Sequence, residues 1–317
     1  MDDLCENYCV GEIPHIFSMR MCVKNVINCF MMVFRSRSFP YSICLQNQNI
    51  STAPYPYLRC DDGDIKMHCI SPIHGRSYII GRSTDGRYIV SKGNGLNYSE
   101  YVFLNTGEMG NDTWGLLLRQ DAVRDFLLGQ EVATLGIKTN QMEYVLELDI
   151  YLSLPNGNKI KPCLLQYSLE CPYRITDVPF MSTREIKRET DKWETMNEKR
   201  YKERYLIAAD ILVKNLYILH SHNILHNAIQ ESNYTWALEL LDFELSCSPS
   251  YPYEREDYQR HVVDLFSREI THTYCIINYI AGVLKEHIDF KKVDRLFAEY
   301  GCLLYTSPSP RDTERSR

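Results

Sequence analysis

The chain has 317 residues, 44% of them hydrophobic and 24% charged, with 35 basic and 41 acidic side chains and a formal net charge of −6. That composition is ordinary for a globular protein and excludes collagen, a coiled coil and wholesale disorder; without a basic excess, nucleic acid is not expected as the main partner. No run approaches the roughly 18 apolar residues of a membrane span: the longest candidate, 28–34 (NCFMMVF), is far too short, and it lies too deep to serve as a signal peptide, so no membrane partner is expected.

Residues 1–69 are poorly patterned and read as an N-terminal extension. Seven of the twelve cysteines fall there: Cys5, Cys9, Cys22, Cys29, Cys44, Cys60 and Cys69. None forms a C-x-x-C pair, the usual core of a zinc site. A disulfide framework belongs to short secreted domains, so buried free thiols are the default reading.

From about residue 70 the pattern improves, and 70–174 reads as a small lobe with its connecting hinge. The β-rich stretches 77–81 (SYIIG) and 88–91 (YIVS) flank Ser83-Thr84-Asp85-Gly86, which has turn chemistry. Apolar spacing predicts a helix over 121–135, with Ala122, Phe126, Leu127 and Val132 near one face. Residues 142–154 alternate like a strand, 155–158 (PNGN) form a turn, and another strand begins at 161.

Residues 175–301 read as a larger, helical lobe. The charged stretch 184–202 is a solvated helix or linker. A helix is predicted over 203–220, with Leu206, Ala209, Val213, Leu216 and Ile218 on its apolar face. A strand or hairpin arm is expected over 236–245, and a second long apolar helix over 261–284. The tail differs in kind. Residues 302–312 read CLLYTSPSPRD, which matches one translated frame of a transposase sequencing adapter. We therefore expect 302–317 to be an artefact of library construction, with the large lobe cut short at Gly301, and leave the tail out of fold reasoning.

The informative chemistry lies between the two large-lobe helices. His226 is followed seven residues later by Asn233, and the apolar run Leu240-Leu241 ends in Asp242-Phe243. This resembles the core of the protein-kinase-like fold, in which H-x-D-x-x-x-x-N precedes a strand and D-F-G. An amide oxygen and a carboxylate are hard ligands suited to Mg²⁺ bridging nucleotide phosphates. Asn233 and Asp242 hold the matching positions. Two positions depart from the pattern: Ala228 replaces the general-base Asp, and Glu244 replaces the Gly. By motif the chain resembles a pseudokinase.

A narrower resemblance is to the selenoprotein O family. Lys92-Gly93-Asn94-Gly95 with Tyr98-Ser99 resembles its K-G-x-G-x-x-P-Y-S segment, with Asn97 in place of the proline. Leu118-Arg119, Arg124-Asp125-Phe126-Leu127, Glu131 and Leu135-Gly136-Ile137-Lys138-Thr139 resemble its next block, and the nine-residue step from Asn233 to Asp242 is shared. The resemblance covers about 85–245. It implies a bilobal α/β kinase-like fold and transfer of AMP from ATP to protein hydroxyls. Lys92 would contact phosphate, with Glu131 as its helix partner; Lys92, Glu131 and Asp242 would be catalytic. Asn233 and Asp242 would hold Mg²⁺ or Mn²⁺. Arg174 would be one of two phosphate-gripping arginines, while the other position falls near the uncharged Tyr167.

Taken singly, each of these residues has a plainer reading. Lys92 would be a solvated loop lysine, Glu131 a surface acid, Asn233 a helix cap, Asp242 a strand end, Arg174 a salt-bridge residue and His226 a structural brace. Order and spacing together favour the functional reading: an adenylyltransferase whose cofactors are ATP and Mg²⁺ and whose partners are proteins with Ser, Thr or Tyr hydroxyls. A kinase-like γ-phosphotransferase and a non-catalytic nucleotide-binding scaffold are the alternatives. The tail and the lack of a signal place the expected protein in a bacterial cytoplasm.

Overall fold

The structure is a computed structural model that describes residues 36–59, 76–94, 116–153, 159–196, 201–252 and 262–301. The expected turn at 155–158, the motif residues Gly95, Asn97, Tyr98 and Ser99, and the tail 302–317 lie outside these.

Nine strands are described: β1 (Ser36–Ser38), β2 (Tyr41–Gln46), β3 (Tyr57–Arg59), β4 (Ser77–Arg82), β5 (Tyr88–Lys92), β6 (Gln141–Leu148), β7 (Leu152–Ser153), β8 (Lys159–Ile160) and β9 (Cys163–Leu169). Five of them form one antiparallel sheet in the order β2-β6-β9-β5-β4. The β4–β5 hairpin closes at the predicted turn, where Gly86 takes φ +85° and donates its N–H to Ser83 O at 3.0 Å. Only glycine occupies such a position without strain.

Helix α1 (Arg119–Thr134) connects β5 to β6 and turns Ala122, Asp125, Phe126, Leu128, Gly129 and Val132 inward. Phe126, Leu128 and Val132 pack with Val90, Val145 and Leu165 of the sheet. The opposite face buries Tyr144, Leu146, Leu148 and Leu164 against Leu58, with Phe39 and Ile50 alongside. Two covered faces explain why all seven residues of β9 are buried.

The described part of the N-terminal stretch is therefore not a separate extension. β2 is an edge strand of the main sheet, and Gln166 ties the following segment to it: its Oε1 accepts from Tyr55 N–H (2.9 Å) and its Nε2 donates to Ala53 O (3.0 Å). The expected boundary at 69/70 does not divide this body. Periodicity could not reveal it, because β2 is short and half-exposed and pairs about a hundred residues away.

The second half is helical: α2 (Thr183–Met196), α3 (Arg204–Ser221), α4 (Val262–Leu284) and α5 (Phe290–Glu299). α3 is buried along most of its length and packs against α4 and α5. α2 carries the charged stretch, yet it buries Glu189, Thr190 and Trp193. Trp193 stacks on Trp236 with ring centroids 5.8 Å apart and donates its indole N–H to the Trp236 carbonyl at 2.8 Å. The strand expected over 236–245 does not form. Leu238 and Asp242 take φ of +56° and +70°, which breaks the extended run, so only isolated bridges and a 3₁₀ turn (Phe243–Leu245) are made. The chain is thus a mixed α/β protein, a sheet with one helix followed by a helical half. Among the described residues no helix is long and apolar enough to cross a membrane.

Candidate functional site

Lys92 ends β5, and the register of the sheet places it opposite Leu165. Its side chain is 2% exposed. Nζ donates to Asp125 Oδ2 at 2.6 Å and to Asp242 Oδ1 at 2.5 Å, and Glu244 Oε2 lies 3.5 Å away. Burial works against the ammonium, but Asp125, Asp242 and Glu244 outweigh it and hold the Lys92 pKa above its ordinary value. Lys92 is no solvated loop lysine.

Its helix partner is Asp125, not Glu131. The two acids are six residues apart on α1, which at 100° per residue puts them on different faces. Glu131 points toward the loop after the 3₁₀ turn and accepts from Ser248 Oγ at 2.8 Å. Asp125 is buried, and its Oδ1 accepts the Phe243 N–H at 2.9 Å. One carboxylate thus ties β5, α1 and the Asp-Phe turn together. Burial pushes its pKa up against the pull of Lys92.

Asp242 sits in the left-handed region, which Asp tolerates better than most residues. Burial opposes its charge, yet Lys92, Arg76 and Arg174 prevail and hold its carboxyl far below the usual range. Arg76, which sequence reasoning missed, donates to Glu244 Oε1 at 2.5 Å and lies 3.4 Å from Asp242 Oδ1. Nothing in its local sequence marks it; it precedes a strand like many loop arginines. Glu244, at the position of the expected glycine, thus holds a cation inside the site.

Asn233 follows a loop braced from several sides. Its Nδ2 donates to Ala228 O (2.9 Å), and its Oδ1 accepts from Arg174 Nη1 (3.1 Å). Arg174 also donates to Ser232 O at 2.6 Å. His226 is wholly buried, and its Nε2 is 2.9 Å from the Leu241 carbonyl. A carbonyl only accepts, so Nε2 carries the proton. Burial holds the ring neutral by lowering its pKa. The ring meets Phe243 edge-on at 5.1 Å. Beneath the loop, Glu269 of α4 accepts from Asn227 N–H (2.6 Å) and lies 2.8 Å from His220 Nε2. His226 is therefore the brace that the sequence suggested, and Glu269 is a second one it did not.

Carboxylate oxygens of Asp125, Asp242 and Glu244 lie within 4.8 Å of one another. Such an all-oxygen set suits a hard divalent cation. Asp242 Oδ2 lies 3.5 Å from Arg76, and the Asn233 carbonyl keeps a second lone pair beside Arg174. Lys92 and Arg76 occupy oxygens of the same three acids and would compete with a cation for them.

The segment joining the two halves is fastened by Glu239, a wholly buried carboxylate. It accepts the N–H groups of Glu170 (2.9 Å) and Cys171 (3.3 Å), Arg87 Nη2 (3.1 Å) and Thr235 Oγ1 (3.0 Å).

No family profile matches this chain, and no curated protein matches it. Among solved structures it is similar to a Toxoplasma gondii specific rhoptry antigen kinase domain, with 10% identity over 90% of this chain and 92% of that one and a TM-score of 0.38. The chain's own parts bring together a strand lysine paired to a helix acid, a buried histidine under an Asp-Phe turn, and an asparagine between the two in sequence.

Proposed function

We propose that this chain is an ATP-dependent transferase of the selenoprotein O kind, moving AMP to a protein hydroxyl. The observation that carries the reading is the approach of Lys92 and Arg76 to Asp242, with Arg174 on the neighbouring Asn233, beside a loop with Ala228 where a base would stand. Such a site offers charge neutralisation and positioning rather than proton abstraction. Arg174 approaches from the Asn233 side, remote in sequence from Lys92, and supports phosphates gripped from both sides of the acid.

Asn233 and Asp242 would hold Mg²⁺ or Mn²⁺, which would neutralise phosphate charge. Lys92 and Arg174 would orient the phosphates. The hydroxyl oxygen of a Ser, Thr or Tyr forms a bond to the α-phosphorus, the bond to the β-phosphate bridge breaks, pyrophosphate leaves with the electron pair, and the hydroxyl proton passes to solvent. The test is label transfer from ATP marked on the α- or the γ-phosphate. Label from the α-position, lost in Asp242→Ala, is expected. Label from the γ-position alone makes this a divergent kinase. A non-catalytic reading is favoured by one observation, the Arg76–Glu244 pair inside the site; it predicts no transfer from either position, with ATP still bound.

A further inference from the structure

We infer that Arg76 and Glu244 form a latch on the site: the Arg76 guanidinium holds carboxylate oxygens that a divalent cation needs, and the cation binds only by displacing it. This rests on the proposed role of Asp242 in holding metal and asks what keeps that metal out. Among the described residues, Lys92 and Arg76 both touch the acid cluster, and they are not equivalent. Lys92 is enclosed at 2% exposure and fixed by Asp125 and Asp242 at 2.6 and 2.5 Å. Moving it would strand Asp125, a buried carboxylate, at high cost. Arg76 is 26% exposed, 2.5 Å from Glu244 Oε1 and 3.4 Å from Asp242 Oδ1. It can withdraw toward solvent, and a part-exposed pair is worth far less than a buried one. Of the two, Arg76 is the one that yields.

The pivot for that withdrawal is fixed. The Arg76 carbonyl accepts the N–H groups of Gly93 (2.9 Å) and Asn94 (3.2 Å), which pins its main chain beside Lys92 and leaves motion to the side chain. Gly93 permits this close packing: it takes φ +99°, and a Cβ there would lie 2.6 Å from Cys163 O. Glu244 is fixed from the other side. Its 3₁₀ turn is held by the Phe243 N–H on Asp125 and by Ser246 Oγ, which donates to His226 O at 3.0 Å.

The latch is also an imperfect fit. Glu244 Oε2 is out of water and makes no hydrogen bond, with Lys92 Nζ 3.5 Å away. A buried oxygen without a hydrogen bond is a standing cost, and a hard cation shared by Glu244 and Asp242 removes it. A glycine at 244, as the motif has it, could form no such contact. Polyphosphate would give the released guanidinium an anion to hold, so metal and nucleotide would load together.

The test uses the whole chain without nucleotide and Mn²⁺ as the probe, with free Mn²⁺ followed by electron paramagnetic resonance. Arg76→Gln is expected to bind Mn²⁺ at least about tenfold more tightly than wild type, because a repelling charge has gone. Adding Asp242→Ala to that variant should abolish the binding. A second readout needs no variant: phenylglyoxal, which modifies accessible guanidinium groups, should reach Arg76 of the wild type several-fold faster with Mn²⁺ than without, as mapped by mass spectrometry. Arg76 modified no faster, or Arg76→Gln binding no tighter while Asp242→Ala still weakens binding, overturns the latch and leaves the proposed site standing. Mn²⁺ held by neither wild type nor Arg76→Gln, or held equally well without Asp242, overturns the site itself, and the inference with it.

Discussion

Lys92 Nζ lies 2.6 Å from Asp125 Oδ2, a strand cation and a helix acid paired with almost no solvent. The same acid holds the Phe243 N–H, so it orients the turn that carries Asp242. Asp125→Ala is therefore expected to destabilise the chain by about 3 kcal/mol, the usual cost of stranding one member of a buried pair. It should also weaken ATP binding. Glu131→Gln loses at most one partly buried hydrogen bond, about 1 kcal/mol, and should bind ATP normally. Urea unfolding and calorimetry on both variants decide between them; the opposite ranking would restore Glu131 as the partner.

Lys92, Asn233 and Asp242 were legible through the resemblance of their order and spacing to a known motif, and the structure brings Lys92 into contact with Asp242. Asp125 was missed because the acid was sought by resemblance at 131. The local signal was present: Asp125 lies among Ala122, Phe126, Gly129 and Val132, an acid on the apolar stripe of α1. Arg76 had no such signal, and neither did Glu239, whose partners lie 69 and 152 residues away. The helices and the β4–β5 hairpin were legible from periodicity and turn chemistry. The 236–245 run misled because it is apolar and strand-like, while positive φ at Leu238 and Asp242 is invisible in composition.

Gly129 faces Phe243 across α1. An added Cβ would lie 3.3 Å from the Phe243 ring and would crowd the Met142 methyl. Gly129→Val should therefore push the ring and, through it, Asp242. A loss of about 1–3 kcal/mol is expected from overpacking, with ATP affinity falling in parallel. Gly129→Ala, which displaces the flexible methionine end and asks the Phe243 ring to give by a few tenths of an ångström, should lose less. Equal effects of the two would mean that Phe243 is free to yield.

His226 links stability to pH. Its folded pKa is depressed by burial, so the unfolded chain takes up the proton first as pH falls below about 6.5. The stability it supports is present above that value and declines toward its lower folded pKa. His226→Gln keeps an N–H for the Leu241 carbonyl but does not titrate. Urea midpoints between pH 7.5 and 5 should fall more steeply for wild type than for the variant; parallel curves would place the titration elsewhere.

Glu239→Ala removes the acceptor of two backbone N–H groups and leaves Arg87 without its buried partner. A loss of at least about 3 kcal/mol in urea unfolding is expected. Hydrogen exchange should speed up first at Glu170 and Cys171. A uniform change across the chain would argue against a local fastening.

The edge position of β2 has a consequence for how the protein is made. Tyr41 pairs with Leu148 and Gln46 with Tyr144. At the pace of a ribosome, roughly 5–20 residues per second, about 100 residues of waiting amounts to about 5–20 seconds. During that interval β2 has been synthesised and its partner β6 has not, and the central β9 emerges later still. A half-made chain therefore carries an unpaired strand that chaperones are suited to shield.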